Sequence, residues 1–141
     1  MVSHQLHYIT NREEIFDFIK KCGTYYLATV EDGQPRNRPF GTINLFNGKL
    51  YIQTGKSKEV SKQIQKNPKV ELCCFNGQAW LRLAGELVRD ESREAKVDML
   101  EHYPDLKNMY SADDDNTEVL YFKNAEATIS SFASAPRVIR F

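Results

Sequence analysis

Three turn dipeptides, Asp32-Gly33, Asn47-Gly48 and Asn76-Gly77, constrain this chain more than any other feature of its sequence. Such pairs accept the positive φ angles of tight hairpin turns, whose twist matches that of two antiparallel strands. The residues around them are β-branched and aromatic: "TYYLATVEDGQPRNRPFGTINLFNGKLYIQT" predicts three antiparallel strands in a row, and "KVELCCF" with "AWLRLAGELVR" predicts a further hairpin. "VLYFKNAEATISSF" and the terminal "RVIRF" bring the expected total to six or seven strands. Parallel strands would need a helical crossover each time, so repeated hairpins point to an antiparallel barrel.

Two or three helices flank these strands. In "ITNREEIFDFIKKCG", Thr10 and Glu13 can form a capping box, Ile15, Phe18, Ile19 and Cys22 share a face, and Gly23 ends the helix. A short helix is expected from Ser57 to about Lys66, burying Val60 and Ile64 and stopped by Asn67-Pro68. A third runs from Glu91 to His102, with Ala95, Val97, Met99 and Leu100 as its apolar surface. "SADDDNTE" reads as a solvated loop, because Asp113, Asp114 and Asp115 lack the spacing of a calcium loop.

Composition narrows the function classes. Nineteen basic residues balance nineteen acidic ones, which leaves no global field to attract nucleic acid or an anionic membrane. Cys22, Cys73 and Cys74 show no zinc spacing, and a reduced, cytoplasmic setting is expected. Cys73 and Cys74 adjoin on one strand and must face opposite ways, so they are read as packing residues. His4 and His7 precede the first helix where a signal peptide would need an apolar run, and His102 is expected to be exposed. With every histidine outside the strands, no hydrolytic triad can be assembled, and an enzyme of this kind would need a cofactor to carry the reactive atom.

One stretch offers a place for such a group. "LYIQTGKSKEVSKQI" contains TGKS, but the glycine of a P-loop would fall at position 50, which is Leu50. What remains is a strand, a flexible turn, Lys56 and Lys58, Thr54 and Ser57, and then a helix start, which together can hold an anion. The Asn47-Gly48 turn folds "RNRPFG" back on this segment, so Arg38 and Thr54 are expected as neighbours. The same lysines also suit a merely solvated helix start, and the arginine a strand-edge charge.

The order "YLATVEDGQPRNRPFG", "GKLYIQTGKSKEVSKQIQKNPKVEL", "WLRLAGE" resembles the pyridoxamine 5'-phosphate oxidase family of FMN-binding split barrels, particularly its general-stress and nitroimidazole-resistance branches. The likeness spans residues 24 to 89 and, more loosely, the tail "YFKNAEATISSF". It implies a mainly β, Greek-key-like split β-barrel with flanking helices, residues 1–141 forming one FMN-binding domain. It also implies a homodimer with FMN at the interface, and an oxidoreductase that moves two electrons between FMN and a small molecule, with NAD(P)H as a donor. By resemblance, Arg38 holds the phosphate and ribityl region, with Arg36 beside it on the same strand. The backbone of Pro39, Phe40 and Gly41 passes the ring edge, Gln53 and Thr54 touch the flavin, and Ser57 and Lys58, with Lys56, hold the phosphate. Trp80 reaches the flavin of the other subunit.

The chain departs from the family in three places. Lys58-Glu59 stands where full-length pyridoxamine phosphate oxidases have an Arg-Lys pair, the C-terminal substrate contacts have no counterpart, and no histidine occurs between His7 and His102. These departures disfavour pyridoxamine phosphate as substrate. A flavin-storing or flavin-sensing protein and a haem-binding split barrel stand as the alternatives.

Overall fold

The computed structural model of the protein describes residues 10–141, so His4 and His7 lie outside the described residues. Helix α1 (Asn11–Cys22) begins at Thr10, whose hydroxyl accepts the Glu13 amide at 3.1 Å, and ends at Gly23. It lays Ile15 and Ile19 fully into the core. Strands β1 (Tyr25–Glu31), β2 (Gln34–Phe40), β3 (Asn44–Phe46) and β4 (Lys49–Gly55) follow, then helix α2 (Glu59–Lys66). The hairpin β5 (Lys69–Phe75) and β6 (Ala79–Asp90) leads to helix α3 (Arg93–His102), a 3₁₀ turn (Pro104–Asn108), the long β7 (Thr117–Ser131) and the short β8 (Arg137–Arg140).

All strand pairs are antiparallel, in the order β2-β1-β5-β6-β7-β4-β3, with β8 also on β7. The interior is assembled in register. Leu27, Leu72, Leu83, Ala127 and Ile139 lie opposite one another across five strands, and all five are buried. Burying each of the larger side chains is worth roughly 1.5–3 kcal/mol. A second, smaller cluster joins Ala95 and Met99 of α3 to Tyr51 and Val119 outside the barrel.

The barrel is split at β7. One edge of this strand carries β6 along nearly its whole length, while the other is divided between β4, at residues 117–121, and β8, at residues 126–129. Both central strands bend where the division falls. The pairing slips between Ala84 and Glu86, and Asn124 takes a φ of +51°. Gly85 sits in that slip, where an added Cβ would come within 3.0 Å of the Ala125 Cβ and 3.2 Å of the Lys123 carbonyl oxygen.

The antiparallel split barrel matches the expectation, but the strand count differs. The described residues form eight strands, because the run after Gly33 breaks at Gly41–Ile43 into β2 and β3. The break has a steric and a polar cause: Tyr25, fully buried, donates its hydroxyl to the Thr42 carbonyl at 2.6 Å and turns the chain inward. Consequently β2 pairs with β1 and not with β4. Arg38 and Thr54 are therefore not ladder neighbours, and they meet across a cavity. Cys73 is half-buried and Cys74 buried on opposite faces, and burial pushes both thiols up from their ordinary pKa.

Gly85→Ala forces a methyl group against backbone at the bend, and it is expected to lower unfolding free energy in urea by about 1–3 kcal/mol. Gly41→Ala is the neutral comparison, since its Cβ would meet nothing within 4 Å.

Candidate functional site

A cavity of about 390 Å³ opens where β2 and β4 end. Its floor comes from Arg38, Pro39, Phe40 and Gly41 on one side and from Gln53, Thr54 and Lys58 on the other, with Tyr103, Leu106, Met109 and Tyr110 as its far wall. A larger groove of about 730 Å³ lies between the β1–β2 turn and α2. It is lined by charges of both signs, some already paired, such as Lys62 with Glu59, and so presents little unmet charge to a ligand.

Arg38 defines the cavity's chemistry. Its guanidinium donates to the Leu27 carbonyl at 3.1 Å, the Thr29 hydroxyl at 2.8 Å and the Gln63 side-chain oxygen at 2.6 Å. Thr29 donates to the same Gln63 oxygen at 2.5 Å. These partners are neutral, and none of the salt bridges among the described residues involves Arg38. Burial, and then the like charge of Arg36, pull its pKa below the ordinary guanidinium value, against an opposing pull from Glu31. A part-buried cation with neutral partners is stabilised by an incoming anion more than an exposed one would be.

The turn after β4 faces this cation. The Gln53 amide donates to the Thr42 hydroxyl at 3.0 Å, which extends the β3–β4 ladder through a side chain. Beyond Gly55, the Lys56 amide donates to the Asn116 carbonyl at 2.8 Å, and the Ser57 amide to the Asn116 side-chain oxygen at 3.0 Å. Lys58 caps α2 without a side-chain hydrogen bond, which leaves the first helix amides at the cavity lip. At Gly55 a Cβ would fall 3.0 Å from the Tyr110 hydroxyl and 3.1 Å from the Asn116 side-chain nitrogen, so a larger residue would have to push both side chains aside. The TGKS letters thus answer to packing against residues 110 and 116.

The chain matches the pyridoxamine 5'-phosphate oxidase family over residues 12–131. It belongs to that family. A solved NimC/NimA family protein from Clostridium acetobutylicum is 45% identical, with a TM-score of 0.89 over 92% of this chain and 91% of that one. General Stress Protein 26 from Bacillus anthracis shares the fold at 17% identity and a TM-score of 0.72, covering 94% of this chain and all 100% of its own. A pyridoxamine 5'-phosphate oxidase-related, FMN binding protein from Nostoc punctiforme does so at 15% identity and a TM-score of 0.65, with 94% and 97% covered. No curated protein matches the chain significantly.

Of the residues singled out from the sequence, this member of the oxidase family brings Arg38, Pro39, Phe40, Gly41, Gln53, Thr54 and Lys58 to one cavity. The other four lie outside it. Arg36 pairs with Glu31 at 3.0 Å, and Lys56 turns to Glu91 and Asp115 at 3.5 and 3.6 Å. Ser57 is exposed, and Trp80 packs against Phe132 on the outer face of the sheet, with ring centroids 5.1 Å apart and planes tilted by 54°. Sequence reasoning missed the far wall and the pair Thr29 and Gln63. A polar residue on a helix and a threonine in a strand give no local sign that they will meet.

The wall is fastened at both ends. Tyr103 accepts the Ile43 amide and donates to the Ile43 carbonyl, each at 3.0 Å. At the other end, Asp114 accepts the amides of Ser111, Asn116 and Thr117 at 2.9, 2.8 and 2.7 Å, and the Thr117 hydroxyl at 3.0 Å. Burial alone would raise the Asp114 pKa, but these bonds outweigh it and hold the carboxyl well below the usual carboxylate range. Its contribution is therefore present above the unfolded carboxyl value, about 3.9, and fades as pH falls through the lower folded one. Asp114→Ala is expected to cost roughly 1–2 kcal/mol at neutral pH, and to flatten the acid side of the stability–pH curve followed by circular dichroism.

Proposed function

We propose that the cavity binds FMN non-covalently and that the protein is an FMN-dependent oxidoreductase of the pyridoxamine 5'-phosphate oxidase family. The observation that carries this reading is Arg38, a part-buried guanidinium held by neutral partners and facing the open start of α2. A dianionic phosphate fits that gap: Arg38 and Lys58 would supply charge, and the first amides of α2 would supply donors. Phe40, Leu106 and Met109 offer apolar surface for a flat ring, and the exposed backbone at Gly41 leaves room beside it. The FMN-binding relative and the family match support the same choice.

When bound, FMN supplies two-electron redox chemistry. The chain's own residues would clamp the phosphate, wall the ring from water and leave one side open to a small molecule or to NAD(P)H. Among the described residues Arg38 and Lys58 are the cations of the cavity lining, and with both assigned to the FMN phosphate none is left for a doubly anionic substrate such as pyridoxamine phosphate. Among the described residues a histidine-ligated haem finds no imidazole in that lining, since His102 is exposed and turned to the Asp98 carbonyl.

A homodimer belongs to this reading. Tyr26, Phe75 and Phe132 are exposed by 52%, 57% and 91%, and Phe132 covers Trp80. Tyr26 pairs with Pro39, so this apolar face begins at the cavity lip, where a second copy would cover both and bring its own Trp80 close to the ring. No described helix is long and apolar enough to cross a membrane; a cytoplasmic setting is part of the proposal on its own account.

Arg38→Ala is expected to raise the Kd for FMN about tenfold or more in fluorescence titrations. An unchanged Kd would remove the proposed clamp. Phe132→Glu should shift the sedimenting species from dimer to monomer. Anaerobic reduction by NADH or NADPH separates the enzyme from a flavin-storing protein, because a bound flavin that neither donor reduces favours storage.

A further inference from the structure

Tyr110 is a buried phenol, 8% exposed, that lines the cavity together with Thr54 and Lys58. Its amide donates to the Leu106 carbonyl at 2.8 Å, so the 3₁₀ turn fixes where the ring begins. The far end of the ring is fixed as well, because the hydroxyl abuts Gly55 so closely that a methyl group there would lie 3.0 Å from the oxygen. That position is one residue from Thr54 and one hydrogen bond from the start of α2, since the Lys58 amide donates to the Gly55 carbonyl at 3.0 Å.

Among the described residues no group hydrogen-bonds the Tyr110 hydroxyl. Nor is its oxygen one of the sealed, unpaired side-chain atoms, which are Ser61 Oγ, Trp80 Nε1, Arg89 Nη2 and Glu118 Oε1. A tyrosine with a buried ring ordinarily gives its hydroxyl a partner. Here the hydroxyl is left free to donate, on a residue that lines this cavity and also a smaller one of about 280 Å³ beside α3, and it sits against Gly55 just before a helix start with no side-chain cap.

We infer that the Tyr110 hydroxyl donates a hydrogen bond to the phosphate group of the ligand held at the turn of residues 54–60, and so selects phosphomonoesters over their dephosphorylated forms. The identity of the ligand rests on the FMN reading above, whereas the preference for a phosphate rests on the anion site itself. Tyr110 is then a binding and specificity residue, supplying a neutral donor next to the charges of Arg38 and Lys58.

The test is a pair of titrations, FMN and riboflavin, on the wild-type chain and on Tyr110→Phe. The variant is expected to weaken FMN roughly tenfold and to leave riboflavin within about twofold. Equal weakening of both flavins, or an unchanged FMN affinity, overturns the assignment. Should Tyr110→Phe fail to fold, Gly55→Ala displaces the hydroxyl while keeping it, and the same FMN-selective loss is expected. If the wild type takes neither flavin, the FMN reading fails and inorganic phosphate becomes the probe. A rise in melting temperature with phosphate that Tyr110→Phe lacks sustains the assignment, and an equal response, or none in either protein, overturns it.

Discussion

The architecture depends on how β7 divides its free edge. A strand of fifteen residues has more backbone donors and acceptors on that side than β4 alone can meet, and β8 takes the remainder. Unpaired backbone groups inside a protein are costly, so the second partner is a requirement and not a decoration. Between the two partners the Ala125 amide and carbonyl bond to Phe141, at 2.7 and 2.9 Å, which closes the ladder where β4 departs. The divergence of β4 from β8 leaves the sheet open as a split barrel, and β4 carries Gln53 and Thr54 to the cavity.

The cavity is then organised by one amide side chain. Gln63 accepts from Arg38 and from Thr29 on a single oxygen, tying α2 to β2 and β1. Because both donors point at that oxygen, the amide cannot flip without losing two bonds. The guanidinium is thereby held in one orientation before any ligand arrives, and preorganisation of this kind lowers the entropy lost on binding. Lys58, at the exposed end of α2, has no comparable tether and contributes charge without fixed geometry.

Much of the fold could be read from local signals, because those signals were turn chemistry and alternation. Asp32-Gly33 and Asn47-Gly48 do take positive φ, and the expected faces of α1 and α2 are the buried ones. The break at Gly41–Ile43 was illegible because its cause lies seventeen residues away, in the hydroxyl of Tyr25. The same holds for the cavity: residues on β2 and around α2 are recognisable as a set, whereas Tyr103 and Tyr110 follow a charged helix and carry no local pattern that marks them as its wall. Lys56 seemed equivalent to Lys58 in the sequence, yet the turn sends it toward Glu91 and Asp115 on the other side.

The grip of Asn116 on the turn bears on how this surface can change over generations. It holds the main chain at positions 56 and 57 and is indifferent to the side chains there. A clasp that reads only peptide groups lets those two residues drift in size and charge without slackening the loop. New contacts at the rim can therefore be tried one substitution at a time, while the floor beneath keeps its shape.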